Sequence, residues 1–114
     1  GKVGGVTVAL LTTTGRKSGK SRMTPLLTKK KGDDYIVVAS FSGHDAHPFW
    51  YLNLSANPQA KLTIGRETYD VVAVVTEGEE RESLYKEMTE MYDDYAEYQK
   101  VTDRVIPVVR LTPP

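Results

Sequence analysis

The stretch TTTGRKSGKS, Thr12 to Ser21, carries the glycines, cations and hydroxyls of an anion-binding loop. A nucleoside-triphosphate loop of the P-loop type needs four residues between its first glycine and the Gly-Lys-Ser/Thr end, and it leads from a strand directly into a helix. Here only Arg16, Lys17 and Ser18 separate Gly15 from Gly19. The RMTPLLT that follows, with Pro25 and two threonines, reads as a strand. Without a helix N-terminus behind it the loop lacks the phosphate cradle of a nucleotidase. It remains a basic turn able to pair oxyanions.

The other candidate groups are few. His44 and His47 stand three apart beside Asp45, too small a set for a zinc or iron site without distant carboxylates. No metal is expected. No serine sits on a nucleophile elbow. The absence of cysteine excludes disulfides and thiol catalysis and is compatible with a cytoplasmic location. Tyr92, Tyr95 and Tyr98, in MYDDYAEYQ, are spaced by three and would sweep obliquely around one side of a helix. Rings that carry hydroxyls suit the border between a core and a wet pocket, and they equally suit core-edge packing. In sum the chain offers a basic turn for an anionic tail and aromatics for a planar group. That combination, without nucleophile or acid–base pair, suits a protein whose chemistry is carried by a bound cofactor.

These residues must be positioned by one domain, spanning residues 1–114. No apolar run reaches the length of a membrane span. Gly1 is not a natural start residue, so a native N-terminal segment is expected upstream. The formal net charge is zero, but the charges are segregated. Arg16, Lys17, Lys20, Arg22, Lys29, Lys30 and Lys31 crowd residues 16–31 without an acid, whereas residues 77–97 hold nine carboxylates against Arg81 and Lys86. One end of the fold should attract anions while another face repels them.

VTVALLTTT (6–14) reads as a strand, GRKSGK as its turn, and SRMTPLLT as a second strand in which Pro25 marks an edge or a bulge. KKKGDD turns into YIVVAS, a continuous apolar strand. A short helix follows, capped by Asp45 or His47, with Pro48 in its first turn and Trp50 and Leu54 on one face; Asn57-Pro58 ends it. AKLTI and ETYDVVAVV flank Gly65-Arg66, a two-residue hairpin turn. Thr76 and Glu79 form a capping box that opens a helix through about Lys100. Its stripe is Leu84, Met88, Met91, Tyr95 and Tyr98, which must face the sheet. RVIPVVRL is the last strand. The order β-β-β-α-β-β-α-β lacks the alternation of a doubly wound sheet and favours a small, mostly antiparallel barrel with helices outside.

Three ordered stretches, LLTTTGRKSGKSRMTPL, VVASFSGHDAHPFWYLNLSANP and MYDDYAEYQKVTDRVIPVVRL, resemble the deazaflavin-dependent nitroreductase family, whose members use coenzyme F-420, an 8-hydroxy-5-deazaflavin. The resemblance runs from about Val8 to Pro113. It implies a mostly β (α+β) split β-barrel, like that of the FMN-binding proteins, with about six mainly antiparallel strands, a short helix and a longer one in the C-terminal half. It implies a reductase that passes a hydride from the reduced coenzyme to an electron-poor small molecule, a quinone, an enone or a nitroaromatic compound. By position, Lys17 and Arg22, helped by Arg16, Ser18 and Lys20, would hold the phosphate and oligoglutamate tail. Pro25 and the segment Ala39, Ser40, Phe41 and Ser42 would line the ring system, with Phe49 and Trp50 beside it. Tyr92, Tyr95 and Tyr98 would shape the acceptor pocket, one of them or Ser40 stabilising the product by hydrogen bonds.

Two departures from the family pattern bear on the acceptor. Phe41-Ser42 stands where relatives often have lysine or glycine, and Val101 stands where some nitroreductases place a tryptophan. Many relatives carry an amphipathic N-terminal segment that favours peripheral membrane association, and the family includes monomers while split barrels often dimerise. The alternatives are a deazaflavin- or flavin-binding protein without catalysis, and an FMN-dependent oxidoreductase of the same fold. A nucleic-acid-binding barrel is disfavoured, because the aromatics do not interleave with the cations and the acidic helix would repel phosphates.

Overall fold

The computed structural model describes residues 2–3, 6–40 and 46–114, with residues 2, 3 and 6 described by backbone alone. Phe41, Ser42, His44 and Asp45 lie outside the described residues. The strands are β1 (Lys2–Val3), β2 (Val6–Thr14), β3 (Ser21–Lys31), β4 (Asp34–Val38), β5 (Gln59–Ile64), β6 (Glu67–Val75) and β7 (Val108–Thr112). The helices are α1 (Phe49–Ala56), α2 (Gly78–Met91) and α3 (Asp94–Lys100). All pairings are antiparallel, in the order β1-β2-β3-β4-β7-β6-β5, and a β2–β5 pairing closes β2 to β7 into a six-stranded barrel. The expected architecture is therefore present, with a two-residue β1 added.

The barrel interior is built by alternation. Ala9 and Leu11 of β2, Val37 of β4, Leu62 of β5, Val71 of β6 and Val109 and Leu111 of β7 form one buried cluster, plugged by Trp50 and Leu54 of α1. The continuous apolar run in β4 has a simple cause, because both of its faces are covered. Val37 points into the barrel, whereas Ile36 and Val38 meet a second cluster made with Leu84, Tyr85, Met88 and Tyr95 of the helices and with Ile106 and Val108. Two cores thus share one thin sheet.

Four local expectations are corrected. The lysine run is strand rather than turn, since Lys29, Lys30 and Lys31 pair with Ile36, Tyr35 and Asp34 and leave Gly32-Asp33 as the two-residue loop. Gly32 has φ 62°, the left-handed region that glycine adopts without penalty. Asp45 lies outside the described residues, and His47 does not cap α1. Its N-cap is Pro48, whose carbonyl accepts from Tyr51 N–H and Leu52 N–H at 3.1 and 3.3 Å. The Thr76–Glu79 capping box does not form. Thr76 instead donates its hydroxyl to the Val108 carbonyl at 2.8 Å, which ties the end of β6 to β7, and Glu77 is the N-cap.

The fourth correction is that the long helix is two. Tyr92 is extended (φ −146°, ψ 100°) and ends α2, and α3 starts at Asp94. Aspartate is a poor helix-interior residue and a good one at an N-terminus, where its charge meets the helix dipole. The Asp93-Asp94 pair therefore breaks the helix and restarts it. The apolar stripe survives the break: Leu84, Met88 and Tyr95 are buried, and Met91 and Tyr98 pack against the same cluster.

Candidate cofactor site

Over Ser21–Thr28, β3 pairs with β2, but only Lys29–Lys31 pair with β4. Beyond Val38 the chain turns toward β7, where Ala39 N–H donates to the Pro107 carbonyl at 2.9 Å. Among the described residues the barrel is consequently open between the first eight residues of β3 and the end of β4. Pro25 lies in the middle of this unpaired edge, as its ring requires. The Thr24 hydroxyl beside it is buried without a hydrogen-bond partner among the described residues, on the β3 position opposite core residue Leu11. A buried unpaired hydroxyl costs about 1–3 kcal/mol unless a ligand or water completes it.

The basic turn sits at the β2–β3 end of this opening and is closed on itself. Gly15 N–H donates to Lys20 O at 2.8 Å, Gly19 N–H to Gly15 O at 2.9 Å, and Lys20 N–H to Ser18 Oγ at 3.2 Å. A Cβ on Gly15 would stand 2.7 Å from Ser18 Oγ and 3.2 Å from the Lys20 carbonyl, so the closed form needs glycine there. Arg16, Lys17, Ser18, Lys20 and Arg22 are all exposed. Among the described residues none of these four cations is paired with a carboxylate. The other half of the basic stretch differs. Lys29 and Lys31 both bind Glu87 of α2, at 3.2 and 2.5 Å, and hold its carboxyl below the usual range. Four cations without a carboxylate partner among the described residues thus gather at the turn and the start of β3.

At the opposite side of the opening, Arg104 fastens the strand end. Its Nη1 donates to the Ala39 carbonyl at 3.1 Å and reaches His47 Nδ1 at 3.0 Å, while Nη2 donates to the Ser40 carbonyl at 2.7 Å. A guanidinium has no acceptor, so His47 Nδ1 must be the acceptor and the ring is neutral. Burial and the Arg104 charge lower its pKa. With the folded value depressed, the stabilising contribution is complete above the unfolded value of about 6.5. It is lost as pH falls through the folded value. An NMR titration should give His47 a pKa below that of a free histidine, and a value at or above it would contradict the Arg104 contact. His47, expected from the sequence to cap the short helix or to lie in the loop beside it, is instead held by Arg104, a residue the sequence does not single out. An arginine in a loop has no local pattern that reveals carbonyls 64 and 65 positions away.

The loop bearing Arg104 is itself fixed by α2 and α3. Arg81, 7% exposed, donates to the Ile106 carbonyl through Nε and Nη2 at 3.2 and 2.7 Å and to Gln99 Oε1 at 2.9 Å, and it lies 4.4 Å from the Tyr85 ring centroid. Gln99 accepts from Ile106 N–H and donates to the Arg104 carbonyl. The chain of contacts runs from the acidic helix to Ser40.

The predicted aromatics divide. Trp50, expected beside a planar ligand, is only 3% exposed and belongs to the barrel core, while its neighbour Phe49 is 50% exposed. Tyr95 is 5% exposed and its hydroxyl is pushed up to about 12 by burial. Tyr92 and Tyr98 are half-buried and flank it edge-on, with centroids 5.0 and 6.2 Å from the Tyr95 ring. The neighbouring Asp94 carboxylate and Tyr98 hydroxyl raise the Tyr92 pKa. The three rings form one cluster through the helix break instead of a sweep along one helix.

A depression of about 480 Å³ lies elsewhere, where β2 and β5 diverge beyond the Thr12–Lys61 pair. It shares Thr14 and Ser21 with the base of the basic turn but includes neither Ala39, Ser40 nor Trp50. Chemistry, rather than volume, therefore locates the candidate site. Among the described residues no group of three or more His, Asp or Glu side chains could hold a metal, and no helix is long and apolar enough to cross a membrane.

A small closed antiparallel barrel, split along one strand and bearing a basic turn at the split, defines a split-barrel reductase of the deazaflavin type. The chain belongs to the F-420H(2)-dependent quinone reductase family, whose description matches residues 1–113. A Mycobacterium tuberculosis protein provisionally named as such a reductase is 40% identical over 108 residues, covering 95% of this chain and 91% of the relative. A solved structure of an F-420-H2-dependent reductase is 46% identical, with a TM-score of 0.83 over 91% of this chain and 92% of that one. A second, described as a domain-swapped dimer, is also 46% identical, with a TM-score of 0.84 over 91% and 78%. The protein is thus an oxidoreductase with a deazaflavin as its electron carrier. Of the acceptors expected from sequence, the family description names the quinone and no nitro compound.

Proposed function

We propose that the protein reduces a quinone with coenzyme F-420 bound across the opening of the barrel. The observation that carries this reading is the set Arg16, Lys17, Lys20 and Arg22 at one end of that opening, which has no carboxylate partner among the described residues, with the Thr24 hydroxyl, likewise without a partner among them, next to it. Guanidinium and ammonium groups suit a phosphate and an oligoglutamate tail. The edge of β3 about Pro25, with Ala39 and Ser40, forms the walls for the planar part, and half-exposed Phe49 stands at its rim. Phe41 and Ser42 belong to the same proposed segment. When bound, the reduced coenzyme supplies a hydride.

This chain's own residues bind, orient and stabilise. The cations neutralise the tail, and the Arg104 clamp fixes the Ala39 and Ser40 carbonyls so that ring and quinone can meet at about 3–3.5 Å. In this reading Ser40, Tyr92 and Tyr98 donate hydrogen bonds to the quinol oxygen as charge develops. Tyr95 holds the other two rings in place from the core, and its burial keeps the hydroxyl protonated. Accordingly Tyr92→Phe and Tyr98→Phe should each lower turnover about tenfold with unchanged coenzyme affinity. If neither changes turnover, both leave the acceptor site. The 46%-identical domain-swapped dimer supports a chain able to dimerise, and size-exclusion chromatography with light scattering tests that.

The function itself is tested by titrating the chain with oxidised coenzyme F-420 and with FMN, then mixing the reduced coenzyme with a soluble quinone. Selective deazaflavin binding with coenzyme oxidation supports the reading. Binding without oxidation would leave a carrier protein, and preference for FMN would move the chain to the flavin branch of the fold.

A further inference from the structure

Asn53 stands on α1 one turn after Phe49 and Trp50 and is 3% exposed. Its Oδ1 accepts the Arg16 backbone N–H at 3.1 Å, and its Nδ2 donates to Thr13 Oγ1 at 3.1 Å. A backbone N–H can only donate, so the orientation of the amide is fixed by chemistry. Burying a primary amide in a barrel end costs free energy that a leucine would not, and such groups persist where their partners need placing. The partners here are both at the root of the basic turn: Thr13 is the last inward residue of β2, and Arg16 is the first cation. The β2–β3 ladder carries the turn as far as the Thr14–Ser21 pair and the turn's internal hydrogen bonds set its shape, while the Asn53 amide adds a bond to Arg16 beyond that last pair. Among the described residues the Asn53 amide is what joins it to α1, the helix whose N-terminal residues border the ring end of the site.

We propose that Asn53 is a positioning residue that fixes the basic turn at a set distance from the ring end, and so determines preference for a cofactor with an anionic tail over one without. The inference rests on the reading that the turn holds that tail. The helix acts as a rigid spacer between the two halves of the ligand. With the amide gone, the four cations remain, but they are no longer pre-directed, and ordering them falls on the binding step.

The test compares coenzyme F-420 with 8-hydroxy-5-deazariboflavin, which keeps the ring and lacks the phosphate and glutamates. Fluorescence titrations are made on the full chain and on Asn53→Ala, Thr13→Val and Thr13→Ser, each checked for folding by circular dichroism. Asn53→Ala and Thr13→Val should weaken F-420 about tenfold, as expected for one lost ordering hydrogen bond, and leave the tail-less compound unchanged. Thr13→Ser keeps the hydroxyl and should bind like the parent. If Asn53→Ala does not fold, the Thr13 pair decides. Equal loss for both ligands would make Asn53 a general structural residue, and unchanged F-420 affinity in folded variants would also overturn the proposal. If the parent chain itself binds both ligands equally, the tail-binding reading of the turn fails first, and the two failures are told apart.

Discussion

Replacing Lys17 and Arg22 together by alanine is expected to weaken binding of coenzyme F-420 about a hundredfold at low salt. Two charge-assisted contacts are removed, each worth about 1.5 kcal/mol or more, and 1.4 kcal/mol is a factor of ten. The loss should shrink as ionic strength rises, because exposed charges are screened over about 10 Å at 0.1 M salt. A control separates contact from general field. Lys29→Ala with Lys31→Ala removes the same formal charge from the same strand. Those lysines lie about 25 Å farther along β3 and are already bound to Glu87. Their loss should leave coenzyme affinity within about twofold. Equal effects from the two pairs would mean that the turn acts only through net charge.

The second large effect concerns stability. Arg81→Met should cost about 3 kcal/mol and lower the melting temperature by roughly 10–20 °C. The substitution keeps the apolar stem over the Tyr85 ring but leaves the Ile106 carbonyl and Gln99 Oε1 short of donors inside the second core. The contacts to Ile106 and Gln99 are buried or partly buried, whereas Glu82 is exposed. Glu82→Gln is therefore expected to be nearly neutral, as surface ion pairs usually are. Because the same loop carries Arg104 to Ser40, Arg81→Met should also raise the Michaelis constant for the coenzyme below the melting transition. Thermal melts and steady-state kinetics at low temperature measure the two separately. An unchanged melting temperature would remove Arg81 from the framework of the site.

Most of the scaffold was legible in the chain because alternation and turn chemistry are local. VTVALLTTT, the Gly65-Arg66 turn and the apolar YIVV run each announce their state within a few residues. The basic turn and the edge position of Pro25 were readable for the same reason. What could not be read is long-range. The Asp93-Asp94 pair carried a signal for a helix break, but a heptad-like stripe continued across it and masked it. The burial of Trp50 and Tyr95 depends on which layer each ring enters, and periodicity does not say whether a face meets a ligand or another strand. Arg81, Gln99, Arg104 and Asn53 act on backbone groups between 3 and 65 positions distant, and no spacing rule connects them.

An unpaired strand is also a hazard to the molecule that carries it, since its free N–H and C=O groups can template pairing with another chain. Among the described residues the first eight residues of β3 form such an edge. Pro25 takes part in the β2 ladder opposite Leu10 without an N–H, so its nitrogen must occupy a position that turns away from β2, toward the opening. The row of donors along the exposed edge is interrupted at its middle. A neighbouring chain meets a gap where it would need its central hydrogen bond, and Arg22 adds charge repulsion between copies. The barrel can therefore stay open for a ligand in a crowded solution without recruiting a second molecule of itself as an extra strand.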